Sequence, residues 1–389
     1  MPVRSASTRL RGPTLLAVLA AGTLVFASAC SSSTTSSASS APAATGGSAA
    51  SQQAATKAEA AIQPFLKAPA GVGTTVRLTA KPPAGKHIIA LSCTVGSCTD
   101  WRSQVAIAAS ALGWTVTGIG VTGAGTTVND AVNTAVSEKP DAIIINGFPR
   151  QIYAQAAANA AAAHIPIVTQ MGELQGAATP PFIAVQYQGA QFDTMAAATG
   201  NWVIADSHGT ANALLVQYAG LPLSERITST TQKTITSNCP ACKTQLLTVQ
   251  LAATGTTLPG AIVSAIQRNP SIDYVVLQDA AMVTGLDAAL HDAGLAGKVK
   301  VLGNDTSSDA IQGTVSGEYL GWMAFSLRAA AYEGIDAIAR HLVGDPQQTV
   351  PLMNEIFTKQ NLPANPTSAT WEDVPPDLAQ QYDYLWRVS

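Results

Sequence analysis

The strongest constraint on this chain is an alternation that begins near residue 85, in which short β-branched runs are separated by alanine-rich stretches of helical length. Strand-like runs fall at 88–92, 114–119, 142–146, 165–169, 182–186, 213–218, 246–251, 274–278 and 299–303. Helix-like segments fall at 101–113, 127–138, 150–163, 187–205, 257–268, 283–293 and 326–343, rich in alanine, the best helix former. Runs that are apolar on both faces suit parallel strands covered by helices, so the pattern predicts an α/β class with right-handed crossovers. It occurs once before and once after about residue 186, which predicts two similar lobes with a cleft between them. In open parallel sheets, ligands sit beyond the carboxyl ends of strands, where loops and helix N-termini present backbone donors. Functional residues are therefore expected directly after the strand-like runs.

The N-terminus reads differently. Arg4, Arg9 and Arg11 precede an apolar run over 15–26, followed by Ala27-Ser28-Ala29-Cys30. This three-part pattern predicts an export signal over 1–30, and its apolar run is too short for a membrane span of about 20 residues. The small residues before Cys30 resemble a bacterial lipobox, which implies cleavage ahead of Cys30 and a lipid on its sulfur. Ala27 stands where leucine is commoner, and plain cleavage after Ala29 is the alternative. Residues 31–55 are almost entirely Ser, Thr, Ala and Gly with little to bury, so 31–84 is expected to be a flexible tether and lead-in.

Only 12% of the 389 residues are charged, the formal net charge is -3 and no block of like charge occurs. A nucleic-acid partner would need a basic stripe, so none is expected. With Cys30 assigned to the lipid, Cys93, Cys98, Cys239 and Cys242 remain, an even set in an exported chain. Their spacing favours Cys93 with Cys98 and Cys239 with Cys242, although sequence alone allows three connectivities.

Several motifs carry less than they suggest. Gly118-Ile-Gly120-Val-Thr-Gly123 has the dinucleotide-binding spacing, but the acid that should end the next strand is Asn146, so a glycine-rich βα turn is expected instead. Cys239-Pro240-Ala241-Cys242 follows a helical segment and leads into a strand, the reverse of the thioredoxin order, which favours a structural disulfide. His87, His164, His208, His291 and His341 have no metal-ligand spacing, and no metal or cofactor is expected. Asp279 and Asp305 both follow strands and suit either acid/base chemistry or hydrogen bonding to a ligand, the second being preferred where no nucleophile accompanies them.

Three passages resemble the type I periplasmic binding proteins of the ribose and galactose group. Asp141-Ala-Ile-Ile-Ile-Asn146 resembles a third strand ending in a ligand-contacting Asn; Gln278-Asp279-Ala280-Ala281-Met282-Val283-Thr284-Gly285-Leu286 resembles a strand-to-helix passage; Val299-Lys300-Val301-Leu302-Gly303-Asn304-Asp305 resembles a strand whose final Asp binds sugar hydroxyls. His164-Ile165-Pro166-Ile167-Val168, Ala293-Gly294-Leu295 and Ile311-Gln312-Gly313 fit the same frame, and the resemblance covers roughly 85–355. It implies two Rossmann-like lobes joined by about three crossings, with 85–186 and 326–354 in the first lobe and 187–325 and 355–389 in the second.

It also implies a ligand site with Asn146, Phe148, Gln170 and Met171 from the first lobe and Asp279 and Asp305 from the second, with Phe325 at the last crossover. Trp101, beyond a bridged Cys93–Cys98 loop, either stacks on the ligand or caps its helix against the core. The chain departs from the sugar binders where they place an Asp-Arg pair, having Met171-Gly172 after Gln170; Ser224 replaces an arginine, with Arg226 nearby, and Phe325 replaces a glutamine. Without a bidentate arginine to grip vicinal oxygens, a less hydroxylated ligand is expected. The expected function is that of an exported, lipid-anchored, monomeric solute-binding protein, on the outer face of the cytoplasmic membrane or in the periplasm, that delivers a small molecule to an ABC permease. The alternatives are a ligand sensor for a membrane receptor and an exported enzyme on the same fold.

Overall fold

The computed structural model describes residues 48–122 and 125–388. The export signal and Cys30 lie outside the described residues. Two sheets organise the chain. The first contains β1 (His87–Cys93), β2 (Thr115–Val121), β3 (Ala142–Asn146), β4 (Ile167–Gln170) and β5 (Phe182–Gln186), all parallel, in the order β2-β1-β3-β4-β5. The second contains β6 (Asn212–Tyr218), β7 (Lys243–Val249), β8 (Tyr274–Leu277), β9 (Lys300–Asn304), β10 (Gly321–Phe325) and β11 (Asn354–Thr358), in the order β11-β10-β9-β8-β6-β7.

The alternation of side chains along each strand divides the core into layers. Ile88 and Ala90 of β1 face one way, into a cluster with Trp101 and Val105 of α2 (Gly96–Ala111). Ile89 and Leu91 face the other, into a cluster with α3 (Thr126–Ser137) and α4 (Ala154–Ala162). Both faces of a central parallel strand are thus dry, which is why these runs carry no polar alternation. The outer strands β2 and β7 are largely solvent-exposed and threonine-rich, as edge strands should be. The second sheet repeats the layering, with α5 (Gly189–Asp206) and α6 (Pro222–Asn238) on one side and α7 (Leu258–Arg268), α8 (Leu286–Asp292) and α9 (Ser308–Ser316) completing the lobe.

Helix α10 (Leu327–Val343) follows β10 but packs on the first sheet and α2. Ser326 caps its N-terminus, its hydroxyl accepting from the Ala329 amide at 2.9 Å. Gly334 lets the helix come close: a Cβ there would fall 2.2 Å from Ile144 Cδ1 and 3.1 Å from Gln170 Nε2.

Four sequence expectations need correction. First, β10 and β11 were not foreseen, and β11 runs antiparallel to β10, so the second sheet is not purely parallel. Second, residues 49–55, expected in the tether, belong to α1 (Ala49–Ile62), whose Ala54, Ala58 and Ile62 are buried against α5. Alanine spacing supplied an apolar stripe that composition alone hides. Third, Gly118 and Gly120 lie within β2 rather than in a turn, leaving room for Arg102 and Thr94. Fourth, the segment expected on the second lobe divides. β11 completes the second sheet, whereas α11 (Ser368–Glu372) and α12 (Leu378–Leu385) pack on α10 of the first lobe.

That last docking is specific. Trp386 stacks on Tyr332 with 5.5 Å between ring centroids, and its indole N–H donates to Asp336 at 2.9 Å. Arg340 holds the other Asp336 oxygen at 2.6 Å and donates to the Val76 carbonyl at 2.7 Å. The lead-in joins the same patch through the Leu78 amide to the Leu385 carbonyl at 2.9 Å. Besides the crossings after β5, before α10 and before β11, the segments 63–86 and 359–367 therefore also connect the lobes.

Candidate functional site

Between the lobes, beyond the carboxyl ends of the strands, lies a cavity of about 110 Å³. A single water needs about 10–15 Å³, so this is room for a small organic molecule. The first lobe contributes Ser97 in the first turn of α2, the Cys93–Cys98 disulfide that ties the end of β1 to that turn, the β3 end with Asn146 and Phe148 beyond it, and Met171 after β4. The second contributes Tyr218 at the end of β6, Ser224 and Ile227 of α6, Gln278 and Asp279 after β8, and Asp305 after β9. Phe192, Phe325 and Leu327 close it near the crossovers, with the Phe192 and Phe325 rings edge to face at 5.6 Å.

Of the residues expected in the site, Asn146, Phe148, Met171, Asp279, Asp305 and Phe325 line this cavity. Trp101 and Gln170 do not. Trp101 is fully buried, and its indole N–H donates to Gln170 Oε1 at 3.1 Å. Gln170 Nε2 donates to Gln186 Oε1 and to the Ala330 carbonyl, both at 2.7 Å, and Gln186 Nε2 donates to the Glu333 carbonyl at 3.2 Å. The absent side chain at Gly334 exposes the Ala330 carbonyl, one turn earlier in α10, to Gln170. These groups tie α10 to the strand ends, so Trp101 packs its helix against the core, the second of its two readings, and Gln170 is a structural partner outside the cavity lining.

Sharp exits from the strands aim the lining residues. Met171 and Asp305 have φ of 57° and 68°, in the left-handed region that Asp tolerates better than Met. A Cβ at Gly172 would fall 2.1 Å from the Phe148 carbonyl oxygen, so glycine is required where the β4 loop crosses the β3 loop. The Met171-Gly172 pair that replaces a sugar-binding motif therefore serves packing as well as lining.

The two acids set the electrostatics. Asp279 Oδ1 accepts from the Ala281 amide at 2.8 Å, and Asp305 Oδ1 from the Thr306 amide at 2.7 Å. The Ser97 hydroxyl, from the opposite lobe, faces both carboxylates and favours their charged forms. Burial pushes Asp279 up to about 6, and raises Asp305 well above the ordinary range with help from the charges of Asp279 and Asp100. No Lys, Arg or His is among the lining residues. Arg102 is occupied by Ser92 Oγ and the Cys93 carbonyl, both at 2.5 Å. Arg226 forks onto Asp193 at 2.8 and 2.6 Å, so it does not supply the missing arginine at Ser224.

Ser224 instead accepts from the Tyr218 amide and donates to Gln278 Oε1 at 2.7 Å. Such a site can bind through acceptors and apolar contact. Sequence reasoning missed Ser97, Phe192, Tyr218 and Ile227 as lining residues. Ser97 had a signal, since it lies within the bridged loop after the first strand, and Tyr218 ends a strand; Phe192 and Ile227 sit inside helices, where nothing local marks them. Away from the cavity, Asp287, His291 and Glu318 form an exposed group whose ligand atoms lie within 4.8 Å of one another. The second disulfide, Cys239–Cys242, is buried at the end of α6.

The sequence profile of the periplasmic binding protein domain matches residues 98–346. No curated protein matches the chain at the sequence level. Among solved structures, a sugar ABC transporter protein from Yersinia enterocolitica is similar, with a TM-score of 0.68 and 16% identity over 80% of this chain and 99% of that one. A carbohydrate transporter solute-binding protein from Agrobacterium radiobacter, in complex with D-arabinose, has a TM-score of 0.61 and 20% identity over 75% and 99%. A 5-methylthioribose transporter solute-binding protein from Thermotoga lettingae, in complex with 5-methylthioribose, has a TM-score of 0.62 and 17% identity over 72% and 88%. At these identities the likeness is one of fold.

Proposed function

The chain belongs to the periplasmic binding protein family, with its type I arrangement of two α/β lobes, and on that premise we propose that it captures a small solute between the lobes outside the cytoplasm and delivers it to an ABC importer. The observation that carries this reading is the cavity itself. Its walls come from both lobes, and Ser97 of one lobe meets Asp279 and Asp305 of the other. A solute touching both walls favours the closed arrangement by its differential affinity for closed over open, and by no more than that. The crossings act as the hinge, and the closed shape is what the permease recognises. The protein works as a monomer and releases its cargo unaltered. Ser97 and Ser224 are engaged with neighbouring acceptors, and no histidine lines the cavity to activate either.

Export and a lipid on Cys30 complete the reading, supported by the N-terminal pattern and the family. Among the described residues, no helix is long and apolar enough to cross a membrane. Two measurements test the proposal. Mass spectrometry of small molecules released on denaturing the purified protein should yield a solute that is recovered unchanged after incubation with fresh protein. Titration calorimetry with that solute should show about 1–3 kcal/mol lost in Asp279→Ala and in Asp305→Ala. Chemical conversion of the solute points to an enzyme, and unchanged affinity in both variants places the site elsewhere.

A further inference from the structure

We propose that the captured solute carries a positively charged, hydrogen-donating nitrogen on a compact apolar body, an organic ammonium ion and not a neutral polyol. The inference rests on the solute-binding reading and specifies its cargo. The cavity has two unlike halves. Phe148, Met171, Phe192, Ile227, Phe325 and Leu327 form an apolar half that offers neither donor nor acceptor to a hydroxyl. Asp279 and Asp305, faced by Ser97, lead the polar side, which also carries Asn146, Tyr218, Ser224 and Gln278; Asp305 is only 5% exposed.

A free sugar presents hydroxyls around its whole ring, and each buried hydroxyl needs a partner. This cavity would leave those on the apolar half unpaired, at about 1–3 kcal/mol apiece. An ammonium group concentrates its polarity at one end. It brings up to three donors to carboxylates that can only accept when ionised, and its charge replaces the missing cation. Aromatic side chains facing the same space add cation–π attraction.

The surroundings reinforce the sign. Asp100, on α2, adds its charge to that of Asp279 at Asp305, and Asp309 lies near Asp100. The arginines nearest the lining residues in sequence are committed to other partners: Arg102 to Ser92 and the Cys93 carbonyl, Arg150 to Glu173 and the Ala177 carbonyl, Arg226 to Asp193, and Arg328 to Asp373. Burial holds both acids above their ordinary range, with repulsion from Asp279 and Asp100 adding to it at Asp305, and a bound cation relieves both effects. Two unneutralised acids in an apolar cavity destabilise the fold, and a cationic cargo gives that arrangement a use.

The test is titration calorimetry of the whole exported protein with matched probes: benzylammonium and n-butylammonium against benzyl alcohol, n-butanol and D-ribose. The expected result is at least tenfold tighter binding of each ammonium ion than of its alcohol. Asp279→Asn and Asp305→Asn should reduce that preference to within about twofold while the melting temperature is retained; Asn also tolerates the left-handed backbone at 305. Alcohols or D-ribose binding as tightly as the ammonium ions in the wild-type protein would overturn the inference and leave solute capture standing. If no probe binds, the molecule released on denaturation decides: a cationic nitrogen supports the inference and a neutral molecule overturns it. No probe bound and no molecule released would overturn both readings.

Discussion

The two lobes place polar groups at equivalent points, just beyond the carboxyl ends of parallel strands, and put them to opposite uses. In the first lobe, Gln170 and Gln186 turn inward and spend their hydrogen bonds on Trp101 and on the backbone of α10. In the second, Asp279 and Asp305 face the cavity, with one backbone amide apiece and a serine from the other lobe. The difference lies in what covers the strand ends. Gly334 lets α10 descend onto the first sheet, where its carbonyls absorb the available donors, whereas the acids of the second sheet meet open space. Polarity at a strand end thus marks a ligand contact only where no neighbouring element has already satisfied it.

The largest way to break the comparison is to dismantle the closed network. Trp101→Ala should lower unfolding free energy by about 3–5 kcal/mol in urea denaturation, because it empties a fully buried indole site and orphans Gln170 Oε1. A loss below about 1 kcal/mol would mean that the network is incidental.

The next effect comes from the acid beneath it. Burial pushes Glu333 up to about 8, opposed in part by hydrogen bonds from Tyr187 and the Val350 amide. The folded state then holds a proton that the unfolded chain releases near the ordinary glutamate value, so stability is fullest below about 4.5 and declines as pH rises toward 8. Glu333→Gln should flatten thermal stability between pH 5 and about 8, a span covered by a set of buffered melting curves. An unchanged slope would assign it to the other raised carboxyls.

The smallest effect sharpens the contrast from the other side. Arg226→Ala removes an ion pair whose side chains are 35% and 40% exposed, worth about 0–1 kcal/mol of stability. Cargo affinity measured by calorimetry should not change, since Arg226 is turned to Asp193. A tenfold loss would restore an arginine-gripped ligand.

Much of the fold was legible because parallel strands buried on both faces must be apolar throughout, and the runs at 142–146 and 182–186 coincide with β3 and β5. The residues 321–325 and 354–358 were not legible as strands. Gly-Trp-Met-Ala-Phe and Asn-Glu-Ile-Phe-Thr contain between them one β-branched residue before the final threonine, and pairing with β9 and with each other makes them strands. The site was legible in kind, since the resemblance to the ribose and galactose binders picked out Asn146, Asp279 and Asp305, all of which line the cavity. It failed at Gln170, whose partners come from a helix 160 residues later in the chain.

By itself the sequence determined the layered α/β class and the doubling of the pattern, because both follow from local periodicity, and the resemblance carried in its motifs pointed to residues at the strand ends. Tertiary structure decided which of those residues remain open to a ligand, that α1 packs on the second lobe and the C-terminal helices on the first, and that the cavity carries two acids with no cation among its lining residues. These depend on groups far apart in the chain, and whether a buried polar atom is satisfied can be settled only when every neighbour is in place.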